Sequence, residues 1–204
     1  KESASGDKTA TNFDFGSKGE NIVCACGSND TVWFGDSQGM LYWFHATYIV
    51  DWMQSFSVTF NYIKFLPKRN FLVCVGKDDS QDSNGGTKYQ CYFISPTEKH
   101  AAPLLIREAK LFSSRIPEQT ITCFDSNACF NMIALGTQNS GTCLFRGDLI
   151  QERTCRMRML RDDNSSVLDV HFLTSNSKQI LFVCATLSIT SYLVPDRGDL
   201  EVSF

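Results

Sequence analysis

The chain has 204 residues, 43% of them hydrophobic, and a formal net charge of -3. That is enough apolar material for a packed core, and the charge balance lacks the basic footprint through which proteins grip nucleic acid. No apolar run nears the ~20 residues that cross a bilayer as a helix, and the polar opening from Lys1 to Asp7 has no signal-peptide core, so a soluble globular protein is expected.

The chain starts on Lys1 rather than Met, and we expect it to be a piece of a longer polypeptide. Residues 1–20 are polar and rich in Gly, Ser and Lys apart from Phe13 and Phe15, and read as a flexible N-terminal segment. From residue 21 onward, short apolar runs come in sets. The first set is Ile22 to Cys26, Val32 to Gly35 and Met40 to Phe44, and the second is Tyr62 to Leu66, Phe71 to Gly76 and Tyr89 to Ile94. The third is Ile121 to Phe124, Met132 to Gly136 and Thr142 to Phe145, and the fourth is Leu168 to Phe172, Ile180 to Ala185 and Ile189 to Leu193. The runs are rich in Val, Ile, Phe, Tyr and Thr and are separated by turns such as Asp36-Ser37-Gln38-Gly39 and Asn139-Ser140-Gly141, which favours strands over helices.

Less uniformly apolar runs at 50–58, 104–112 and 154–160 sit where an outer fourth strand belongs. Lys77 to Lys88 holds no aliphatic or aromatic residue and reads as an exposed loop inside the second set. Gly35, Gly76, Gly136 and Ala185 mark the repeat at intervals of 41, 60 and 49 residues. Repeats of this length built from four short strands predict an all-β, WD40-like β-propeller. The expected blades span approximately 21–58, 60–114, 120–162 and 167–204, about four consecutive blades of an expected seven.

The nine cysteines are an odd number and mostly lie inside apolar runs, which predicts free, packed thiols and a reducing, cytoplasmic setting. Cys24 and Cys26 share one strand face, but no C-x-x-C or His pairing follows, so no metal or other cofactor is expected. His45, His100 and His171 stand apart from any nucleophile motif, and no catalytic residue is assigned. Arg146-Gly147-Asp148 spells an adhesion tripeptide but fits a turn after a strand.

Glu152 to Arg161 carries Arg153, Arg156, Arg158 and Arg161. On a strand, Arg156 and Arg158 project from one face, either to protect a rim edge or as a weak basic patch for an acidic partner or anionic lipid. The aromatic run Tyr42-Trp43-Phe44 and Trp52 either anchors a peptide or packs between blades, and blade faces that must bury against one another favour packing.

Four phrases carry a resemblance. They are Val32-Trp33-Phe34-Gly35-Asp36-Ser37-Gln38-Gly39, then Asn70-Phe71-Leu72 with Val75-Gly76-Lys77-Asp78, then Asn131 to Gly136 with Gly147-Asp148-Leu149 and Glu152-Arg153, and last Ser191-Tyr192-Leu193-Val194. In this order they make residues 21–194 resemble the N-terminal propeller of the vacuolar protein sorting-associated protein 11 family. Tyr89 to Phe93 departs from that family's K-I-W-N-like third strand.

The resemblance implies a non-catalytic scaffold in the endolysosomal tethering complexes HOPS and CORVET, acting in vesicle docking and fusion and in protein transport to the vacuole or lysosome. Implied partners are other class C vacuolar protein sorting core subunits and, indirectly, Rab GTPases and SNAREs, with no nucleic acid and no direct membrane insertion. Implied localisation is cytoplasmic, peripheral on late endosome, lysosome or vacuole as part of a full-length complex. The family's helical solenoid and RING domain have no counterpart before Phe204. An unrelated WD40-like adaptor that grips a linear peptide is the alternative.

Overall fold

Sixteen strands and no helix make up the described part of the computed structural model, which covers residues 21–28, 31–45, 48–55, 58–68, 70–78, 88–95, 104–110, 120–139, 141–148, 155–160, 165–195 and 201–202. The N-terminal segment 1–20 lies outside the described residues. The strands form four antiparallel sheets, each a meander of four strands in chain order.

The first sheet holds β1 (Ile22–Ser28), β2 (Thr31–Asp36), β3 (Met40–His45) and β4 (Tyr48–Ser55). The second holds β5 (Thr59–Leu66), β6 (Phe71–Asp78), β7 (Lys88–Ser95) and β8 (Leu104–Lys110). The third holds β9 (Ile121–Ser126), β10 (Met132–Thr137), β11 (Thr142–Arg146) and β12 (Arg156–Leu160). The fourth holds β13 (Val167–Ser175), β14 (Lys178–Ala185), β15 (Ile189–Val194) and β16 (Glu201–Val202). The expected loop at Lys77 to Lys88 is shorter than the sequence suggests. Lys77 and Asp78 pair with Tyr89 and Lys88 across β6 and β7, because their backbones continue the ladder whatever their side chains' polarity, while 79–87 lie outside the described residues.

Turn chemistry explains why the strands reverse where they do. Asp36 Oδ1 accepts the N–H groups of Gln38 (2.9 Å) and Met40 (2.8 Å), and Gly39 takes the left-handed φ of 80° that this turn requires. Asn176 and Ser177, with φ of 48° and 63°, close β13 onto β14 in a two-residue loop.

Consecutive sheets pack face to face, with the first strand of each running beside that of the next: β5 lies against β1 and β2, β9 against β5, and β13 against β9 and β10. Three cores fill the three junctions. Trp33, Trp43, Phe60, Ile63, Leu72 and Cys74 are buried between the first and second blades. Val73, Val75, Ile133, Leu135 and Cys143 fill the second junction, and Met132, Ala134, Leu144, Val170, Leu181 and Val183 the third. Because side chains alternate along a strand, β6 sends Leu72 and Cys74 to one neighbour and Val73 and Val75 to the other. The result is an open arc of four propeller blades.

Every inner strand carries the same irregularity. Its pairing to the second strand skips one residue, namely Val23, Asn61, Thr122 and Leu168 in turn. Counting from this bulge corrects the sequence alignment of small residues. Gly35 and Gly136 lie just inside the bulge, opposite Cys24 and Cys123, whereas Gly76 and Ala185 lie just outside it, opposite Phe60 and Val167. A one-residue offset reverses the face. A Cβ on Gly35 would meet Phe60 and Ile63 of the following blade, and one on Gly136 would meet Val167, while Gly76 and Ala185 share the face of Cys74 and Val183, toward the preceding blade.

Candidate interaction surface

The polar residues that meet across blades are best placed by the same count. Three residues beyond each bulge stand Cys26, Lys64, Asp125 and His171, on adjacent inner strands and facing the next blade. Lys64 Nζ forms an ion pair with Asp125 Oδ1 and donates to the Ser126 carbonyl at 2.7 Å. Asp125 Oδ2 accepts the Phe172 N–H at 2.7 Å, and His171 Nδ1 stands 3.4 Å away. Asp125 is buried and His171 is exposed. One carboxylate therefore ties the second, third and fourth blades together, and its desolvation is offset by a cation and a backbone donor. Two further links run in the same direction: Tyr62 Oη donates to Ile121 O at 3.1 Å, and Thr122 Oγ1 donates to Val167 O. The sequence singled out Cys26 and His171 for other reasons and Lys64 and Asp125 not at all, because the equivalence of the four emerges only once the bulges set the count.

The arginine row is half visible. Arg156 and Arg158 lie on β12, both exposed and on one face as expected from alternation, and Arg153 and Arg161 lie outside the described residues. The register adds Arg146, directly opposite Arg156, whose Nη1 donates to the Pro195 carbonyl of the fourth blade at 3.0 Å. That pairing of like charges needed the strand register to be found.

The aromatic run divides between the two faces of the first blade, Trp43 with Trp33 toward the second blade and Tyr42 and Phe44 with Phe34 on the other face. Trp43 stacks on Trp33 with ring centroids 5.6 Å apart and 15° between planes, both buried in the first junction. Tyr42 is buried too, its hydroxyl donating to Asp36 Oδ2 at 2.8 Å, and Phe44 meets Phe34 edge to face. Trp52 sits opposite Trp43 on β4, with its side chain outside the described residues. Tyr42 and Trp43 are thus spent on packing and offer no anchor to a peptide.

Four of the thiols are inert by environment. Burial pushes Cys24, Cys26 and Cys143 up to about 12 and raises Cys123, the opposite of what a nucleophile or metal ligand needs. Eight cysteines are free among the described residues, Cys91 lying outside the described side chains, and no cluster of three His, Cys, Asp or Glu forms there. His45 and His100 likewise lie outside the described side chains. Among the described residues no helix is long and apolar enough to cross a membrane.

The apolar surface is unevenly spread. The exposed large hydrophobic residues among those described are Ile22, Val23, Val32, Leu168, Leu173, Phe182, Leu187 and Ile189, all in the first and last blades. The middle blades, covered on both sides, have none among the described residues.

Comparison with known proteins fits this geometry. Residues 2–202 match the family model described as PEP5/VPS11 N-terminal. The chain is 24% identical over 179 residues to the vacuolar protein sorting-associated protein 11 homolog of Dictyostelium discoideum, covering 84% of this chain and 18% of that protein. It is 23% identical over 181 residues to the homolog of Arabidopsis thaliana, covering 84% and 19%. The chain therefore spans less than a fifth of the length of these curated relatives. The β-propeller domain of Cps50 (Swd1) from Myceliophteria thermophila superposes with a TM-score of 0.59 at 13% identity, over 90% of this chain and 58% of that one, which is a likeness of fold.

Proposed function

The chain belongs to the PEP5/VPS11 N-terminal family, and from that premise we propose that it is a non-catalytic scaffold segment of a vacuolar sorting complex, serving vesicle docking and fusion within the endolysosomal HOPS and CORVET tethers. The observation that carries this reading is the family match itself, which spans all four blades. Its partners are other class C core subunits and, through them, Rab GTPases and SNAREs. It works from the cytoplasmic side, peripheral to late endosome, lysosome or vacuole when part of the full-length subunit. A net charge of -3 supports recruitment through proteins rather than through anionic lipid. Within this reading Arg156 and Arg158, with Arg153 and Arg161, protect the rim edge and add a weak contact to an acidic partner.

The test uses a full-length relative in cells lacking their own copy. Deleting the segment that matches residues 2–202 should abolish delivery of vacuolar or lysosomal cargo, and grafting this chain in its place should restore at least part of it. Normal cargo delivery by the deleted protein would overturn the proposal.

A further inference from the structure

The outermost strands of the four sheets differ in the charge they carry. β4 holds one charged residue, Asp51, β8 holds both signs in Arg107, Glu108 and Lys110, and β16 holds Glu201. Only β12 repeats one sign on one face, with Arg156 and Arg158 both exposed. Register sets a third arginine beside them. Arg146 pairs directly with Arg156, and Leu144 with Arg158, so the three arginines share the face that looks toward the fourth blade, rimward of buried Met132, Ala134 and Leu144. Arg146 lies on β11, which is paired on both sides, so guarding an edge does not account for it. Its bond to the Pro195 carbonyl holds it at the rim of the third junction. Like charges set directly opposite one another cost stability, and an anion seated beside them offsets that cost.

β12 is also a sheet edge. Among the described residues it pairs with β11 alone. Neighbouring blades stack on sheet faces, so a further blade at either end of the arc covers a flank and not this edge. We infer that the edge of β12 takes an extended acidic segment of a protein partner as an added strand, which rests on the scaffold reading and gives its arginine contact a defined geometry.

A strand added there sets every second side chain directly beside Arg156 and Arg158, which lie about 6–7 Å apart along β12. Carboxylates at alternate positions therefore meet both guanidinium groups, with Arg146 behind Arg156 strengthening the field. The intervening side chains lie beside Met157 and Met159, half-buried on the opposite face, where Met159 packs into the second junction. The recognised pattern is acidic and apolar in alternation, the backbone ladder supplying affinity and the side chains supplying register. A membrane fits less well, because the methionines turned toward the second blade form no apolar wedge and the net charge is -3.

The experiment follows the fluorescence anisotropy of a short dye-labelled peptide alternating glutamate and valine, titrated with the 204-residue chain. The peptide should bind saturably, and Arg156→Glu combined with Arg158→Glu should weaken it by at least about tenfold. Arg156→Lys with Arg158→Lys should keep most of the binding, and both variants should melt as wild type does because the two positions are exposed. Of two peptides N-methylated at one or the other alternating set of amides, one should lose binding, since only one edge of an added strand faces β12. Equal binding to wild type and the double-glutamate variant overturns the inference, as does equal binding of both N-methylated peptides or no binding to wild type. Arginine-dependent binding to phosphatidylserine vesicles without binding of the peptide also overturns it and makes the occupant a membrane. A chain that ignores the peptide yet restores cargo delivery when grafted into the full-length relative would sink only the strand addition and leave the scaffold reading standing.

Discussion

The third and fourth blades have the same four-strand meander, the same inner-strand bulge and similar composition, yet their second strands meet different surroundings. Every residue of β10 is buried, whereas β14 alternates between buried and open positions. Among the described residues the third blade is covered on both faces and the fourth on one. Burial in this fold is thus decided by the number of neighbours rather than by the strand's own hydrophobicity, since Ile180, Leu181, Phe182 and Val183 are as apolar as Met132, Ile133, Ala134 and Leu135. The lesson is that each blade brings two apolar faces and depends on others to cover them.

If that contrast is correct, the third blade's junction contacts should dominate stability. Asp125→Ala should have the largest effect, about 4 kcal/mol in chemical denaturation, because it strands the partly buried Lys64 and the Phe172 N–H together. A loss under about 1 kcal/mol would mean that the carboxylate does not couple the blades. Leu144→Ala, fully buried in the third junction, should cost about 3 kcal/mol, and Phe182→Ala on the open flank under about 1 kcal/mol in dilute monomer. Equal costs would erase the distinction between covered and open faces.

Backbone approach gives a smaller version of the same contrast. A Cβ at Gly136 would lie 2.3 Å from Cys123 Sγ and 2.7 Å from Val167 Cγ1, so Gly136→Ala should cost about 2 kcal/mol. Gly27→Ala on the outward side would make only an ordinary contact, 3.7 Å from the Thr31 carbonyl oxygen, and should stay within about 0.5 kcal/mol of wild type. Paired melting curves that coincide would count against close packing at the third junction.

The smallest effect concerns the thiols. Cys24, Cys26 and Cys143 sit in junctions with folded values raised to about 12 from 9.0, so the stability they contribute is present below pH 9 and is lost as pH climbs from 9 toward 12. The decline should approach about 1.4 kcal/mol per pH unit for each thiol. At pH 8 a thiol reagent should modify exposed Cys129 well before these three, and simultaneous modification would show that the junctions open readily.

Much of the strand order could be read from the sequence because short Val, Ile, Phe and Tyr runs between Gly-containing turns leave few alternatives. Strand ends were harder. The apolar run Leu168 to Phe172 stops short of the strand: Leu173 to Ser175 also belong to β13, since only Asn176 and Ser177 form the loop and the residues before them pair with Lys178 to Ile180. The small residues signalled the repeat yet misled on its phase, because a bulge moves the face by one residue without altering the apolar pattern. The Lys64–Asp125–Phe172 link and the Arg146–Arg156 pairing were invisible for a related reason: they join residues 61, 47 and 10 positions apart, and only register brings them together.

The two-residue loop at Asn176 and Ser177 also bears on the order in which the molecule acquires its structure. Closing β13 on β14 fixes two intervening residues, whereas closing β6 on β7 spans the nine residues from 79 to 87, a difference of about 1 kcal/mol in chain-closure entropy. The fourth blade thus contains the hairpin with the lower closure cost, and the second blade is the slower to close. Shortening 79–87 to a two-residue Asn-Gly loop should speed refolding by several-fold with little change in the unfolding rate, as stopped-flow fluorescence of the tryptophans would reveal. An unchanged refolding rate would place the rate-limiting step in blade docking, after the hairpins have formed.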